Sequence, residues 1–288
     1  MTSSSRQATP APIAIIATDL DGTFLGADHW PTPLNVEALH RAQDAGVRIV
    51  FATGRPARWV RLIEPLAGLD IDLIASNGAA VSKLGVQGFR RLSPLPGDDT
   101  LALIADLRAE WRDLTFAAEY DQGWGRMADY PELPDAEASD MAADLVVEQP
   151  RALIKPEGRL PLKLLIRGAG RPLPTDELFS RVDPLVAGRL NLTFSLVHDN
   201  GFLELSAPGV SKASALQDLL ADYGLAASQL AAFGDMPNDL EMLRLAGRPF
   251  AMGNAHPLVL AEGFEQADLN SQSGFGKAVM ALLAEQGH

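Results

Sequence analysis

Apolar positions fall into two rhythms along this chain. Short unbroken blocks that end in glycine or polar residues alternate with stretches in which apolar residues recur every three or four positions. The first block, Ala14-Ile15-Ile16-Ala17, runs into Thr18-Asp19-Leu20-Asp21-Gly22-Thr23. Such Ile-rich blocks suit strands buried on both faces. Asn35 to Ala45 has helical spacing, with Val36, Leu39 and Ala42 on one face and Gly46 as its stop. Val47 to Ala52 predicts a second strand, ending in Thr53-Gly54-Arg55-Pro56. Ala57 to Leu66 predicts a helix with Pro56 at its start. Ile71 to Ala75 predicts a third strand, ending in Ser76-Asn77-Gly78-Ala79. Strand, helix, strand, helix, strand implies parallel pairing through right-handed crossovers.

The rhythm changes from about Val81. Thr100 to Trp111 reads as a helix, Leu114 to Ala118 as extended chain, Leu162 to Arg167 as a strand and Thr175 to Leu185 as a helix. Leu192 to Val197 and Phe202 to Leu205 read as a strand pair turning at His198-Asp199-Asn200-Gly201. Tyr120 to Asp144, with its prolines and acids, follows neither rhythm. The first rhythm returns near Ser206. Helix Ser211–Tyr223 is closed by Gly224, and strand Leu230–Gly234 ends at Asp235. Helix Asp239–Ala246, strand Pro249–Met252 ending at Asn254, and helix Phe275–Glu285 follow. The expected fold is α/β: a doubly wound, Rossmann-like parallel-sheet core over 13–81 and 204–288, interrupted by an inserted α+β unit over 82–203. Met1 to Pro12, rich in Ser, Thr, Ala and Pro, reads as a mobile tail without the apolar core of a secretory signal.

Composition narrows the partners. The 288 residues carry a net charge of -13, which argues against a broad nucleic-acid-binding face. A small phosphorylated ligand needs only a local cationic pocket and is not excluded. Cysteine is absent, so there is no disulfide, thiol nucleophile or thiolate metal site. That is compatible with a cytoplasmic location. No stretch is long and apolar enough to span a membrane. A monomer is expected, since no long apolar surface helix stands out.

The strand ends carry the chemistry. Asp19 and Asp21 follow the first strand, Thr53 the second, Asn77 the third, and Asp235 with Asn238 and Asp239 the strand at 230–234; Asn254 follows the last. In an open parallel sheet the carboxyl ends of the strands form the ligand crevice, so residues far apart in sequence converge there. An acidic cluster with oxygen-only ligands suits Mg2+, which keeps waters and shares a phosphate. Lys212, opening a helix after Gly209-Val210-Ser211, could supply positive charge to phosphate oxygens. Singly, Lys212 reads as a solvated lysine, Thr53 as a helix cap and Asp-x-Asp as a polar turn. Their repetition at successive strand ends favours one site.

Asp19-Leu20-Asp21-Gly22-Thr23 resembles the first motif of the haloacid dehalogenase-like phosphatases. Thr53-Gly54-Arg55 resembles the second, Lys212 the third, and Gly234-Asp235-Met236-Pro237-Asn238-Asp239 the fourth. The finer resemblance is to the Cof-type, subclass IIB sugar-phosphatase branch, through Ser76-Asn77-Gly78-Ala79, Glu204 to Lys212 and Ala251-Met252-Gly253-Asn254-Ala255. Ala213 stands where that branch has Gly, and Asn270 to Gly276 replaces its acidic-Gly pair. The resemblance implies a C2-type cap in the gap between the second and third motifs. It implies Asp19 as nucleophile, Asp21 as general acid/base, and Mg2+ held by Asp19, the Asp21 carbonyl and Asp235. Thr53, Gly54, Lys212 and Asn238 would bind the phosphate, supported by Asp239 and Asn77. The expected activity is hydrolysis of small phosphorylated metabolites, sugar phosphates foremost, through an aspartyl-phosphate. A phosphotransferase or mutase of the same superfamily, or a non-catalytic phospho-ligand-binding protein, are the alternatives. Trp124, Arg126 and Lys163 are candidate leaving-group contacts from the cap, Trp124 reading equally as a sugar-stacking residue or as part of the cap's own core, and His198 is expected to be a surface histidine.

Overall fold

A computed structural model describes residues 11–60, 66, 68–131, 143–168 and 172–288, and it holds two sheets. The tail expected at the start of the chain lies outside the described residues as far as residue 10.

The first sheet is built from β1 (Ile15–Thr18), β2 (Arg48–Ala52), β3 (Ile71–Ala75), β4 (Ala80–Lys83) and β5 (Arg91–Leu92), then from a late group of strands. That group is β12 (Leu230–Gly234), β13 (Arg248–Ala251) and β14 (Glu265–Gln266). The order is β14-β13-β12-β1-β2-β3-β4-β5. Pairing is parallel from β14 to β3, and β4 and β5 add antiparallel strands at one edge. The chain winds outward from β1 in one direction and returns at β12 in the other. The crevice for a ligand therefore opens between β1 and β12.

Alternate residues of the central strands feed two cores, which is why these strands read as unbroken apolar blocks. Ile16, Ile49 and Phe51 pack with α1 (Pro33–Asp44) and α7 (Gly274–Glu285) on one face. Ile15, Ala17, Val50 and Ala52 pack with α5 (Lys212–Tyr223) and α6 (Leu240–Leu245) on the other. Phe24 lies against Phe51 and Phe275, and Phe233 stacks on Phe250 with ring centroids 4.6 Å apart. These rings anchor the elements that carry the strand ends.

The second sheet has the order β10-β11-β9-β6-β7-β8, from β6 (Leu114–Tyr120), β7 (Trp124–Met127), β8 (Leu145–Val147), β9 (Pro161–Gly168), β10 (Asn191–Thr193) and β11 (Leu203–Ser206). One face carries Phe116, Leu164, Ile166, Leu203 and Leu205 and is covered by α2 (Gly97–Glu110), α3 (Pro150–Ile154) and α4 (Thr175–Val186). The register puts Glu119 beside Lys163, Thr115 beside Arg167, and Glu204 beside Leu165, on the opposite face. That polar face meets the first sheet's strand ends: Lys163 Nζ donates to the Gly54 carbonyl at 2.6 Å and Ser76 Oγ to Glu119 Oε2 at 3.0 Å. The architecture is a doubly wound α/β core with an inserted α+β cap.

Three local expectations change. Within the helix expected over 57–66, the described residues form a tight turn at Ala57–Trp59 that Val60 leaves, and the rest of the expectation over 61–65 lies outside the described residues. The strand expected to reach Val197 stops at Thr193. Beyond it, Thr175 Oγ1 takes the backbone N–H groups of His198 and Phe202, at 2.9 and 3.1 Å, in place of ladder partners. The turn ending at Gly201 therefore closes a longer loop and not a tight hairpin. His198 is half-buried and not on the open surface: Arg167 Nη2 lies 2.9 Å from its ring.

Candidate active site

β1 ends in a reversal that brings Asp19 and Asp21 to different places. Leu20–Phe24 forms one wide turn, broken at Gly22 with φ of +74°, and the Leu25 N–H donates to the Leu20 carbonyl. A Cβ on Gly22 would lie 2.2 Å from Asp235 Oδ2, so the turn packs directly on the strand end of β12. Only glycine meets both the left-handed backbone and that approach. Asn254 Nδ2 donates to the Gly22 carbonyl and its Oδ1 accepts from Asn270 N–H; it staples this turn.

Asp19 faces inward. Lys212 Nζ, 1% exposed, sits 2.7 Å from Asp19 Oδ1 and 2.7 Å from Asp239 Oδ1. Asp239 Oδ2 accepts from the backbone N–H groups of Asp235 and Met236, which fixes the turn after β12. Thr23 Oγ1 donates to Asp235 Oδ1 at 2.7 Å. Asp19, Asp235 and Asp239 each offer an oxygen, all within 4.8 Å of one another. Lys212 reaches them because α5 starts against Gly78, where a Cβ would meet the Ser211 carbonyl at 2.2 Å. Ser76 and Asn77, both at positive φ, and Gly78 form the bend that makes room.

Charge crowding shifts how these groups ionise. Burial raises the Asp19 carboxyl well above its usual value; Lys212 opposes this, and Asp239, Asp235 and Asp21 push it further up. Burial pushes the Asp235 carboxyl up to about 7, reinforced by Asp239 and opposed by the Thr23 hydrogen bond and Lys212. Burial alone would lower the Lys212 ammonium, but Asp19 and Asp239 hold it above its ordinary value. One ammonium does not balance three buried carboxyls. Oxygen donors in such excess fit a hard divalent cation.

Asp21 turns away from this trio. Arg55 grips it with Nε on Oδ2 at 2.6 Å and Nη2 on Oδ1, and His29 Nδ1 lies 3.4 Å from Oδ1. Thr53 is buried; its Oγ1 accepts from the Arg55 N–H and its carbonyl from the Asn77 N–H. Asn238 Nδ2 donates to Asn77 Oδ1 at 3.0 Å. The structure thus gathers Asp19, Asp235, Asp239 and Lys212 in one knot, with Thr53, Gly54, Asn77 and Asn238 linked beside it. The sequence reading did not pair Arg55 with Asp21 or Thr23 with Asp235, although both residues stand inside the motifs it quoted.

Two of the three cap candidates, Trp124 and Lys163, are buried. Lys163 is 2% exposed and bound among Gly54, Glu119 and Glu204, so its ammonium is not an open leaving-group contact. Trp124 is 4% exposed and packs edge-on against Tyr130, which places it in the cap's own packing. Arg126 Nη1 donates to the Ala128 and Tyr130 carbonyls.

Similarity to known proteins agrees with this geometry. Residues 16–279 match the family of haloacid dehalogenase-like hydrolases. A protein of Cronobacter sakazakii named HMP-PP phosphatase is 32% identical over 250 residues, covering 85% of this chain and 86% of the relative. The solved structure of SMU.1108c from Streptococcus mutans matches with a TM-score of 0.80 at 24% identity, over 94% of this chain and 99% of that one. The HAD subclass IIB sugar phosphatase BT4131 matches with a TM-score of 0.74 at 20% identity, over 93% and 98%. The acidic pocket at the β1–β12 crevice and the buried lysine across it stand in a chain that belongs, by the match over residues 16–279, to the haloacid dehalogenase-like hydrolases.

Proposed function

We propose that this chain is a Mg2+-dependent phosphatase that hydrolyses small phosphorylated metabolites, sugar phosphates among them, through an aspartyl-phosphate on Asp19. The observation that carries the reading is Asp19 held by Lys212 in a pocket shared with Asp235 and Asp239. The proposed division into a core and an inserted cap moves the expected bounds of 13–81, 82–203 and 204–288, because β4 and β5 pair in the core sheet and β11 pairs in the cap sheet: a core of 13–92 and 207–288 with a cap of 93–206.

Asp19, the Asp21 carbonyl and Asp235 would hold Mg2+, and the excess of buried carboxyl oxygen fits it. When bound, the ion screens these carboxylates from the incoming phosphoryl group. A carboxylate oxygen of Asp19 attacks phosphorus as the bond to the leaving oxygen breaks. Asp21 gives that oxygen a proton, then takes one from the water that attacks the acyl phosphate and returns Asp19 as carboxylate. Arg55, two-handed on Asp21, orients it between these steps. Lys212, Thr53 and Asn238 supply donors to the phosphoryl oxygens as charge shifts, and Asp239 aims Lys212. Asn77 buttresses Asn238. The cap face above excludes bulk water.

The test is phosphate release from a panel of hexose phosphates, HMP-PP, pyridoxal phosphate and flavin mononucleotide, with Mg2+ and with a chelator. HMP-PP is included because of the name of the Cronobacter relative. Metal-dependent release that Asp19→Asn abolishes is expected. Release that persists in Asp19→Asn would remove the nucleophile assignment.

A further inference from the structure

The polar face of the cap holds a charge cluster that closes on itself with one exception. Lys163 has three N–H donors and three acceptors: the Gly54 carbonyl at 2.6 Å, Glu204 Oε1 at 2.6 Å and Glu119 Oε1 at 3.2 Å. Glu119 has its second oxygen on Ser76 Oγ. Glu204, 1% exposed, is left with Oε2 buried and without a partner among the described residues. Buried polar atoms are nearly always paired, so an unpaired carboxylate oxygen marks a place where a donor belongs.

That place is beside the phosphate-binding residues. A Cβ on Gly54, the residue after Thr53, would lie 3.2 Å from Asn77 Oδ1, 3.5 Å from Glu204 Oε1 and 3.5 Å from Ser195 Oγ. Three oxygens, from the core, from β11 and from the loop after β10, converge there. Asn77 Nδ2 and Asn238 Oδ1, in the amide pair alongside, are also buried without partners among the described residues.

We propose that Glu204, with Ser195 beside it, is a specificity-determining acceptor that takes a hydrogen bond from a hydroxyl or amine on the alcohol portion of the phosphate ester. The inference rests on the phosphatase reading above. Lys163 and Glu119 are positioning residues: they pin Glu204 Oε1 and leave Oε2 for the ligand. A carboxylate only accepts, so the subsite rewards leaving groups rich in donors and gives nothing to apolar ones. Sites built to bond a hydroxyl discriminate strongly against analogues that lack it, because the buried partner is then left unpaired.

The experiment compares sorbitol 6-phosphate with hexyl phosphate, equal in chain length and different in hydroxyls, with p-nitrophenyl phosphate as a common reference. Wild-type protein with Mg2+ should prefer sorbitol 6-phosphate by about tenfold or more in kcat/KM. In Glu204→Gln, Lys163 keeps the amide oxygen, so an NH2 replaces Oε2 and the preference should collapse toward one. Ser195→Ala, which leaves the Lys163 cluster intact, should lower the preference through KM. Wild type without a preference, or variants that lose both esters equally while folded, would overturn the subsite. Turnover of p-nitrophenyl phosphate alone overturns it too and leaves the phosphatase reading standing. No turnover of any of the three overturns both.

Discussion

Lys212→Met tests the electrostatic design of the site most directly. The ammonium is fully buried and bonds two carboxylates at 2.7 Å, with Asp235 in the same cluster. Removing one partner of a buried ion pair costs about 3–5 kcal/mol, because the remaining charge is left in a low-dielectric site. For a chain of this size that corresponds to a drop in Tm of roughly 6–20 °C, at about 2–4 °C per kcal/mol. The loss should depend on pH. Asp19 and Asp235 have folded-state values above the unfolded one. Their contribution to stability is fully present below the unfolded value and is lost as pH rises through the folded one, about 7 for Asp235. Without Lys212, only the Thr23 hydrogen bond to Asp235 opposes the upward shift. The deficit should therefore be small at pH 5, where the carboxyls keep protons, and largest at pH 8. Mg2+ should restore part of it at pH 8. Thermal unfolding of wild type and variant at both pH values, with Mg2+ and with chelator, measures this. Phosphate release should fall by about 10²–10³-fold, as for loss of one transition-state donor. A deficit that does not change with pH, or a variant that releases phosphate normally, would refute the reasoning.

Mg2+ binding should expel protons from Asp19 and Asp235; at pH 6 its calorimetric heat should vary with the ionisation enthalpy of the buffer, and a buffer-independent heat would contradict the raised values. Gly22→Ala should cost about 1–3 kcal/mol in urea unfolding and weaken Mg2+ dependence, since its Cβ would drive into Asp235 at a strained φ; wild-type behaviour would show that the turn relaxes freely. Asp21→Asn should give a burst of nitrophenolate from p-nitrophenyl phosphate and then a slow steady state, because that leaving group needs no proton while water attack still needs a base; an unchanged steady-state rate would remove Asp21 from the acid/base role.

Much of this protein is written locally. The blocks at 15–18, 48–52, 71–75 and 230–234 are apolar apart from Thr18, Arg48 and Asp72 because both faces of the central sheet are covered, and that pattern is readable without neighbours. The polar strand ends are readable for the same reason: a carboxylate at the end of such a block must meet solvent, a cation or a ligand. Motif order along the chain was enough to name the family. What sequence could not say is where side chains go once the ends meet. Asp19 and Asp21 are two residues apart, yet the broken turn at Gly22 sends one to Lys212 and the other to Arg55. Lys163 and Glu204 alternate with apolar neighbours like ordinary strand residues; only the pairing of β9 with β6 and β11 makes them one buried cluster with Glu119. The strand expected over Leu192–Val197 stops at Thr193, and beyond it Thr175, at a helix start outside that strand's own window, donates to the Leu196 carbonyl and accepts from the His198 N–H. Periodicity and end residues act over a few positions and so survive in the sequence. Partner choice among buried charges depends on which elements pack together, and only the tertiary structure decides that.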